Sequence, residues 1–248
     1  MLRIHASYHK CLTKYYLRVM HTLYNRILPK QFGYYHFESI QGLLYNRAHK
    51  YSVVSTNGFA IQPQHFSTDF RISRFIRDPR DLIVSGYFYH LRGAEPWFRF
   101  VGPTETYWSA INGHVPSTMP SGVSYAEFLS ELTKEEGLLA EIEFRKHHFQ
   151  SMLEWTEDER IKLFKYEDVL GQEATTFDAI FRHYEVPAYQ RQLGVAIARQ
   201  FALSGRKRIK THIRNPQPNQ WKEHFTPRVK EVFYDQYLPL LHHVGYLE

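Results

Sequence analysis

Residues 2–14 run Leu2-Arg3-Ile4-His5-Ala6-Ser7-Tyr8-His9-Lys10-Cys11-Leu12-Thr13-Lys14. Leu2, Ile4 and Ala6 alternate with Arg3, His5 and Ser7, the period-two pattern of a β-strand, and the pattern ends near Tyr8. From Thr13 onward Tyr16, Val19, Met20, Leu23, Ile27 and Leu28 recur at helical spacing until Pro29 interrupts them. The first unit is therefore strand, tight turn, helix. A lysine and a hydroxyl at that turn, together with the backbone donors of a helix start, make it a place to receive an anion. It is not the nucleotide loop in which glycine precedes Lys-Ser/Thr, because no glycine occurs before Gly33.

The alternation continues outward. Gly33 to Phe37, Tyr51 to Ser55, Arg71 to Ile76 and Ile161 to Tyr166 read as further strands, the last of them buried. Asp78-Pro79 places proline at a helix start ahead of Leu82, Ile83, Phe88 and Leu91. Phe177, Ile180, Phe181 and Tyr184 share one helical face, and Val229, Val232, Phe233, Tyr237, Leu240, Leu241 and Val244 form a closing amphipathic helix. Strands alternating with helices predict an α/β fold with a central parallel β-sheet flanked by helices and with ligands at the carboxyl ends of the strands. A single domain over residues 1–248 is expected. Gly93 to Gly122, with Trp97, Phe98, Phe100, Tyr107 and Trp108, is too long for an ordinary connection and reads as a lid or insert, a packed aromatic cluster being the alternative.

Composition sets the bounds. The 248 residues, 43% hydrophobic and 23% charged, suit a globular domain that buries about 70% of its unfolded surface. The single cysteine, Cys11, excludes an internal disulfide and a cysteine-built zinc site and points to a reducing, cytoplasmic compartment. No apolar run approaches the ~18 residues of a membrane span, and the N-terminus lacks a signal-peptide stretch, so a soluble, unexported protein is expected. The net charge of +6 suits an anionic ligand. Its basic residues are dispersed except for Arg206, Lys207, Arg208, Lys210 and Arg214, which fits a pocket for a small polyanion better than a nucleic-acid track, and nucleic acid is not expected as a partner. His147-His148 and His242-His243 read as solvated helix faces, and no metal site is expected.

A second constellation is Arg74-Phe75-Ile76-Arg77-Asp78-Pro79-Arg80-Asp81-Leu82-Ile83-Val84-Ser85. It sets an arginine at a strand end and a serine two helical turns later, and both can reach one phosphate. The order and spacing of these two segments resemble the sulfotransferase family that uses 3′-phosphoadenosine-5′-phosphosulfate (PAPS). That family's first motif is approximately Pro-Lys-Ser-Gly-Thr-Thr, and its second has Arg followed by Ser eight positions on. Phe164-Lys165-Tyr166-Glu167-Asp168 is similar to its Tyr-Glu-Asp strand end. Arg214 with Trp221-Lys222-Glu223-His224-Phe225-Thr226 is similar to its C-terminal segment, and Val244-Gly245-Tyr246-Leu247 to its C-termini.

The resemblance implies a P-loop-like three-layer fold and transfer of a sulfuryl group from PAPS, the co-substrate, to a hydroxyl or amine of a small-molecule or carbohydrate acceptor. It places the nucleotide against His9, Lys10, Cys11, Leu12, Thr13 and Lys14. Within that turn, Lys10 and Thr13 take the 5′-phosphosulfate, and Lys10 is also catalytic. Arg77, Ser85 and Arg214 take the 3′-phosphate, while Tyr166 and Tyr15 take the adenine. Leu12 stands where the motif has glycine, Lys14 where it has a second threonine, and Asn215-Pro216 where Lys-Gly would follow Arg214. No histidine stands at Ser55-Thr56-Asn57-Gly58, where cytosolic members carry their base. Other branches make Glu38, His36 and His65 the candidate bases, His65 being narrowly favoured. These departures motivate a rival reading, a catalytically silent protein of the same fold that binds the nucleotide or a sulfated ligand. A magnesium-dependent kinase is less well supported, because a glycine-rich phosphate loop and an obvious magnesium carboxylate are both absent.

Overall fold

The strands form where period-two patterning and β-branched residues coincide: β1 (Leu2–Ser7), β2 (Tyr34–Phe37), β3 (Val53–Thr56), β4 (Phe70–Ile76) and β5 (Ile161–Lys165). The structure, a computed structural model, describes residues 1–8, 10–45, 51–57, 61–108, 111–202 and 215–247. The helices in chain order are α1 (Thr13–Thr22), α2 (Ile40–Tyr45), α3 (Pro79–Leu91), α4 (Glu105–Trp108), α5 (Tyr125–Glu131) and α6 (Lys134–Phe144). They continue with α7 (Lys146–Leu153), α8 (Tyr166–Val169), α9 (Glu173–His183), α10 (Ala188–Gln200), α11 (Trp221–His224) and α12 (Pro227–His243). The described chain divides into two compact units, residues 1–77 with 155–207 and residues 78–154 with 208–248.

The first unit holds the sheet. Its five strands are ordered β2-β3-β1-β4-β5, and every pairing is parallel. Side-chain alternation gives each face its own core. Ile4 and Ala6 of β1 join Val54, Ile61, Ile72 and the α2 residue Leu43 in one buried cluster. On the other face His5 stacks on Tyr16 of α1, with centroids 3.6 Å apart, and Phe75 meets Tyr16 and Phe177 of α9 edge-on. The helices thus flank the sheet on both sides, as expected. One expectation fails: Ile161 to Tyr166 is not a buried strand. β5 is the sheet's edge, Lys162 and Leu163 are exposed, and Tyr166 already belongs to the next helix.

The second unit is helical. α3 packs on α5 and α6, and α12 on α6 and α7. At its centre Glu141 is fully buried, with Oε1 receiving the Arg145 Nε–H at 2.8 Å and Oε2 lying 2.7 Å from His90 Nδ1. Tyr125 donates its hydroxyl to the same Oε2 at 3.2 Å. Gly86 makes room for this group, since a Cβ there would lie 2.0 Å from Glu141 Oε1. Phe98 and Trp108 of the 93–122 stretch are buried among Tyr125, Phe144 and His90, whereas Trp97, Phe100 and Tyr107 are exposed. This stretch is therefore an anchored insert with an open aromatic side. His148 is a second correction: it is buried, and only His147 of that pair faces solvent. Adjacent helical positions lie about 100° apart, and on α7 that step turns His148 to the packed side beside Phe149. Among the described residues no helix is long and apolar enough to cross a membrane.

Candidate active site

Parallel pairing brings the strand ends to one edge of the sheet. Ser7 pairs with Phe75 and Ile76 with Lys165, so the turn after β1, Arg77 after β4 and Tyr166 after β5 follow three adjacent strand ends. This is the edge where α/β sheets hold ligands.

The turn after β1 is built without glycine. Tyr8 is buried, its carbonyl accepts from the Cys11 N–H at 3.1 Å and from the Thr13 hydroxyl at 3.3 Å, and Cys11 is buried beneath. Lys10 and Leu12 adopt left-handed backbone, with φ of 70° and 61°. Leu12 is the N-cap of α1 and supplies no side-chain cap, which leaves the first donors of the helix suited to an anion. Lys10 is half-buried and Lys14 exposed, while His9 lies outside the described residues. Leu12 therefore holds a left-handed backbone that glycine adopts freely, at a cost of about 1–2 kcal/mol for an L-residue. Leu12→Gly should be more stable than Leu12→Ala by about 1 kcal/mol, because both remove the side chain and only glycine tolerates this φ. Denaturant midpoints measure the difference, and an alanine variant equal to or better than glycine would remove the strain assignment.

At the neighbouring strand end the Arg77 guanidinium lies 4.3 Å from the centroid of the Tyr166 ring. Both side chains are buried, and the contact fixes a planar cation beside the turn's adjacent strands. Tyr15 is turned elsewhere. It donates its hydroxyl to the Ala198 carbonyl at 2.8 Å and meets Phe177 edge-on, which commits it to packing against α9 and α10. Ser85 lies half-buried on α3 in the second unit. Arg214 and the basic cluster from Arg206 lie outside the described residues.

The candidate bases separate clearly. His36 is half-buried near the carboxyl end of β2, with Nδ1 2.8 Å from Ser55 Oγ on β3. Burial lowers its pKa, the nearby Glu38 opposes that shift, and the Lys14 charge adds to it. Glu38 is exposed and accepts from Asn57 Nδ2 at 3.3 Å. His65 is exposed in a short 3₁₀ turn, where its Nδ1 accepts the Gln62 N–H at 3.1 Å. An open cavity of about 640 Å³ along α1 and β2 is lined by His36 and Glu38 but not by Lys10 or Arg77.

Sequence reasoning missed Arg74. It occupies a core position of β4, is 1% exposed, donates Nη2 to the Ile61 carbonyl and lies 4.6 Å over Trp155. Burial lowers its pKa and Tyr8 raises it, which places this charge within electrostatic reach of the residue that opens the anion turn. The period-two pattern alone contained the signal, because Arg74 shares its face with Ile72 and Ile76.

Comparisons with known proteins identify the family and the fold. The Sulfotransferase domain family matches residues 6–245. The crystal structure of mouse sulfotransferase SULT7A1 complexed with PAP is similar with a TM-score of 0.53 and 15% identity, over 97% of this chain and 84% of that one. Retinol dehydratase in complex with androsterone and the inactive cofactor PAP aligns with a TM-score of 0.44 and 13% identity, over 96% and 80% of the two chains. No curated protein matches the sequence. With its parallel sheet, its lysine turn at a helix start and a family match across nearly its whole length, the chain belongs to the sulfotransferase family.

Proposed function

We propose that Lys10, Thr13 and the uncapped start of α1 hold the 5′-phosphosulfate of PAPS, that Arg77, Ser85 and Arg214 hold its 3′-phosphate, and that Tyr166 borders the adenine. The observation that carries this reading is the buried Arg77 guanidinium over Tyr166, beside strand ends that include the Lys10 turn. Binding measurements test it. Arg77→Ala should weaken 3′-phosphoadenosine-5′-phosphate by about 1.5–3 kcal/mol, the range for a hydrogen bond to a charged group. It should weaken adenosine-5′-phosphosulfate, which lacks the 3′-phosphate, far less. Equal losses for the two ligands would overturn the assignment.

In the transfer itself the acceptor oxygen attacks sulfur, and the bond from sulfur to the bridging oxygen breaks. The electron pair leaves with 3′-phosphoadenosine-5′-phosphate, and the acceptor proton passes to a base. Positioning and charge stabilisation dominate such a step, as in phosphoryl transfer. Lys10 stabilises the charge that develops on the bridging oxygen, and this reading assigns no metal to the step. His36 is the base best supported among the three. Its Nδ1 is tied to Ser55, which sets the ring, and it feels the charge of Lys14 from the anion turn. Glu38 is exposed and His65 has its Nδ1 engaged in its own capping box.

A base whose pKa is depressed keeps its neutral form to lower pH, so the acid limb of kcat/KM should fall below pH 6.5, the ordinary histidine value. His36→Ala should remove that limb and cost roughly 10²–10⁴ in turnover while sparing nucleotide affinity. Full turnover in the variant would move the base elsewhere. The acceptor is a small molecule or carbohydrate, and the exposed Trp97, Phe100 and Tyr107 of the insert are its proposed lid. The single reduced Cys11 fits a cytoplasmic setting.

A further inference from the structure

In the second unit three side chains from separate segments surround one point. Glu105 comes from α4, His114 from the loop that follows and His147 from the start of α7. Glu105 Oε1 lies 2.8 Å from His114 Nδ1, and Oε2 lies 3.5 Å from His147 Nε2. One donor atom from each residue falls within 4.8 Å of the others, the one such group among the described residues. The imidazole rings stand 5.4 Å apart at 87°, so they approach from different directions instead of stacking.

The protein holds this group in place. The Val115 N–H donates to Glu105 Oε1 at 2.7 Å, and the His114 N–H donates to the Phe144 carbonyl at 3.0 Å. Trp108, at the far end of α4, is fully buried. As a bare surface ion pair the arrangement would contribute little to stability. Two imidazoles and a carboxylate are, however, the donor set of an open zinc site. Bonds of about 2.0–2.2 Å in tetrahedral geometry place neighbouring donors roughly 3.3–3.5 Å apart, a spacing these atoms reach by small side-chain rotations. Glu105 and His147 are about half exposed, which gives an ion a path in.

We propose that Glu105, His114 and His147 bind a divalent transition cation, with Zn²⁺ best matched to the donors, and that the ion fastens the 93–122 insert to α7. Water completes the coordination. Both histidines bind as neutral ligands and the carboxylate as an anion, so binding weakens as pH falls. The site makes no use of the nucleotide residues and stands or falls separately from their assignment.

The test is metal titration of the full chain. Zn²⁺ would be measured by competition with a chromophoric chelator, and Co²⁺ by the visible bands of tetrahedral coordination. One equivalent is expected. His147→Gln and His114→Ala should each weaken binding at least as much as loss of an outer-shell partner does at known sites, roughly 10–100-fold. His242→Gln, a change at another exposed helical histidine, should leave it unchanged. His147 is half exposed on a helix surface, so its variant keeps the fold even if His114→Ala does not. Zn²⁺ should also slow hydrogen exchange in residues 93–122 of the wild type and not of His147→Gln. An unmodified chain that binds neither ion, or equal affinity in wild type and His147→Gln, would overturn the site.

Discussion

Lys10→Ala should lower the transfer rate at saturating PAPS by roughly 10²–10³, the usual loss when one preorganised group that stabilises transition-state charge is removed. Lys10 sits in the turn between β1 and α1 with its backbone held at φ 70°, so its position is set by the strand and helix and not by the ligand. The charge it meets forms on the bridging oxygen only as the sulfur–oxygen bond breaks. Affinity for the product nucleotide should therefore fall much less than the rate. Lys14→Ala is the contrasting case. Lys14 is exposed and acts on His36 through charge, so its loss should shift the acid limb of the pH profile upward with a small change in the plateau rate. Single-turnover measurements with labelled PAPS and an acceptor found by screening would read both. A Lys10→Ala rate equal to wild type would place the charge stabilisation on another group, Arg74 being the nearest alternative by burial and charge.

Glu141→Ala should destabilise the protein by about 3–5 kcal/mol, the cost of breaking a buried ion pair from one side. Arg145 is fully buried and its Nε–H donates to Glu141, so removing the carboxylate strands a guanidinium in a dry interior. His90 and Tyr125 lose a shared acceptor at the same time. Glu141→Gln keeps the volume but not the charge and should lose less. Gly86→Ala attacks the same group by shape, since its methyl would overlap Glu141 Oε1. Thermal or urea unfolding measures all three, and a loss below about 1 kcal/mol for Glu141→Ala would mean that Arg145 finds water or another partner.

Much of this could be read from the chain, for identifiable reasons. β1, α1 and the turn between them were legible because a change of period from two to 3.6 leaves no other reading of residues 2 to 28. Arg77 just after β4 was legible from the strand pattern, whereas its proposed nucleotide role, like that of Tyr166, comes from the resemblance. β5 differs from its buried reading because a short strand with three apolar residues does not say whether a neighbour lies on each side, although Lys162 and Lys165 in it suit an edge. Tyr15 was assigned to the nucleotide because its place after the motif matched, yet Tyr15 and Tyr16 point to adjacent sectors of one helix, both of them buried. Arg74 stands on the same period-two face as Ile72 and Ile76, but a charge in a sequence reads as surface until the register shows which face is packed. The grouping of helices into a second unit depends on contacts between distant segments such as α3 with α11, which no local pattern encodes.

The open ends of the sheet bear on how the protein behaves in a crowd of its own copies. The sheet's two edges are β2 and β5, and an edge strand is a template on which another chain could extend the sheet, although on β2 the Asn25 side chain already pairs with the Tyr34 N–H and carbonyl. On β5 the exposed Lys162 works against this, because a copy docking strand to strand would bring like charges face to face. On β2 the neighbouring rings do the same by bulk, with Tyr35 stacked on Tyr51 at 5.2 Å beside Phe37. The lysine that a buried reading of β5 passes over is thus the one that discourages edge-to-edge pairing.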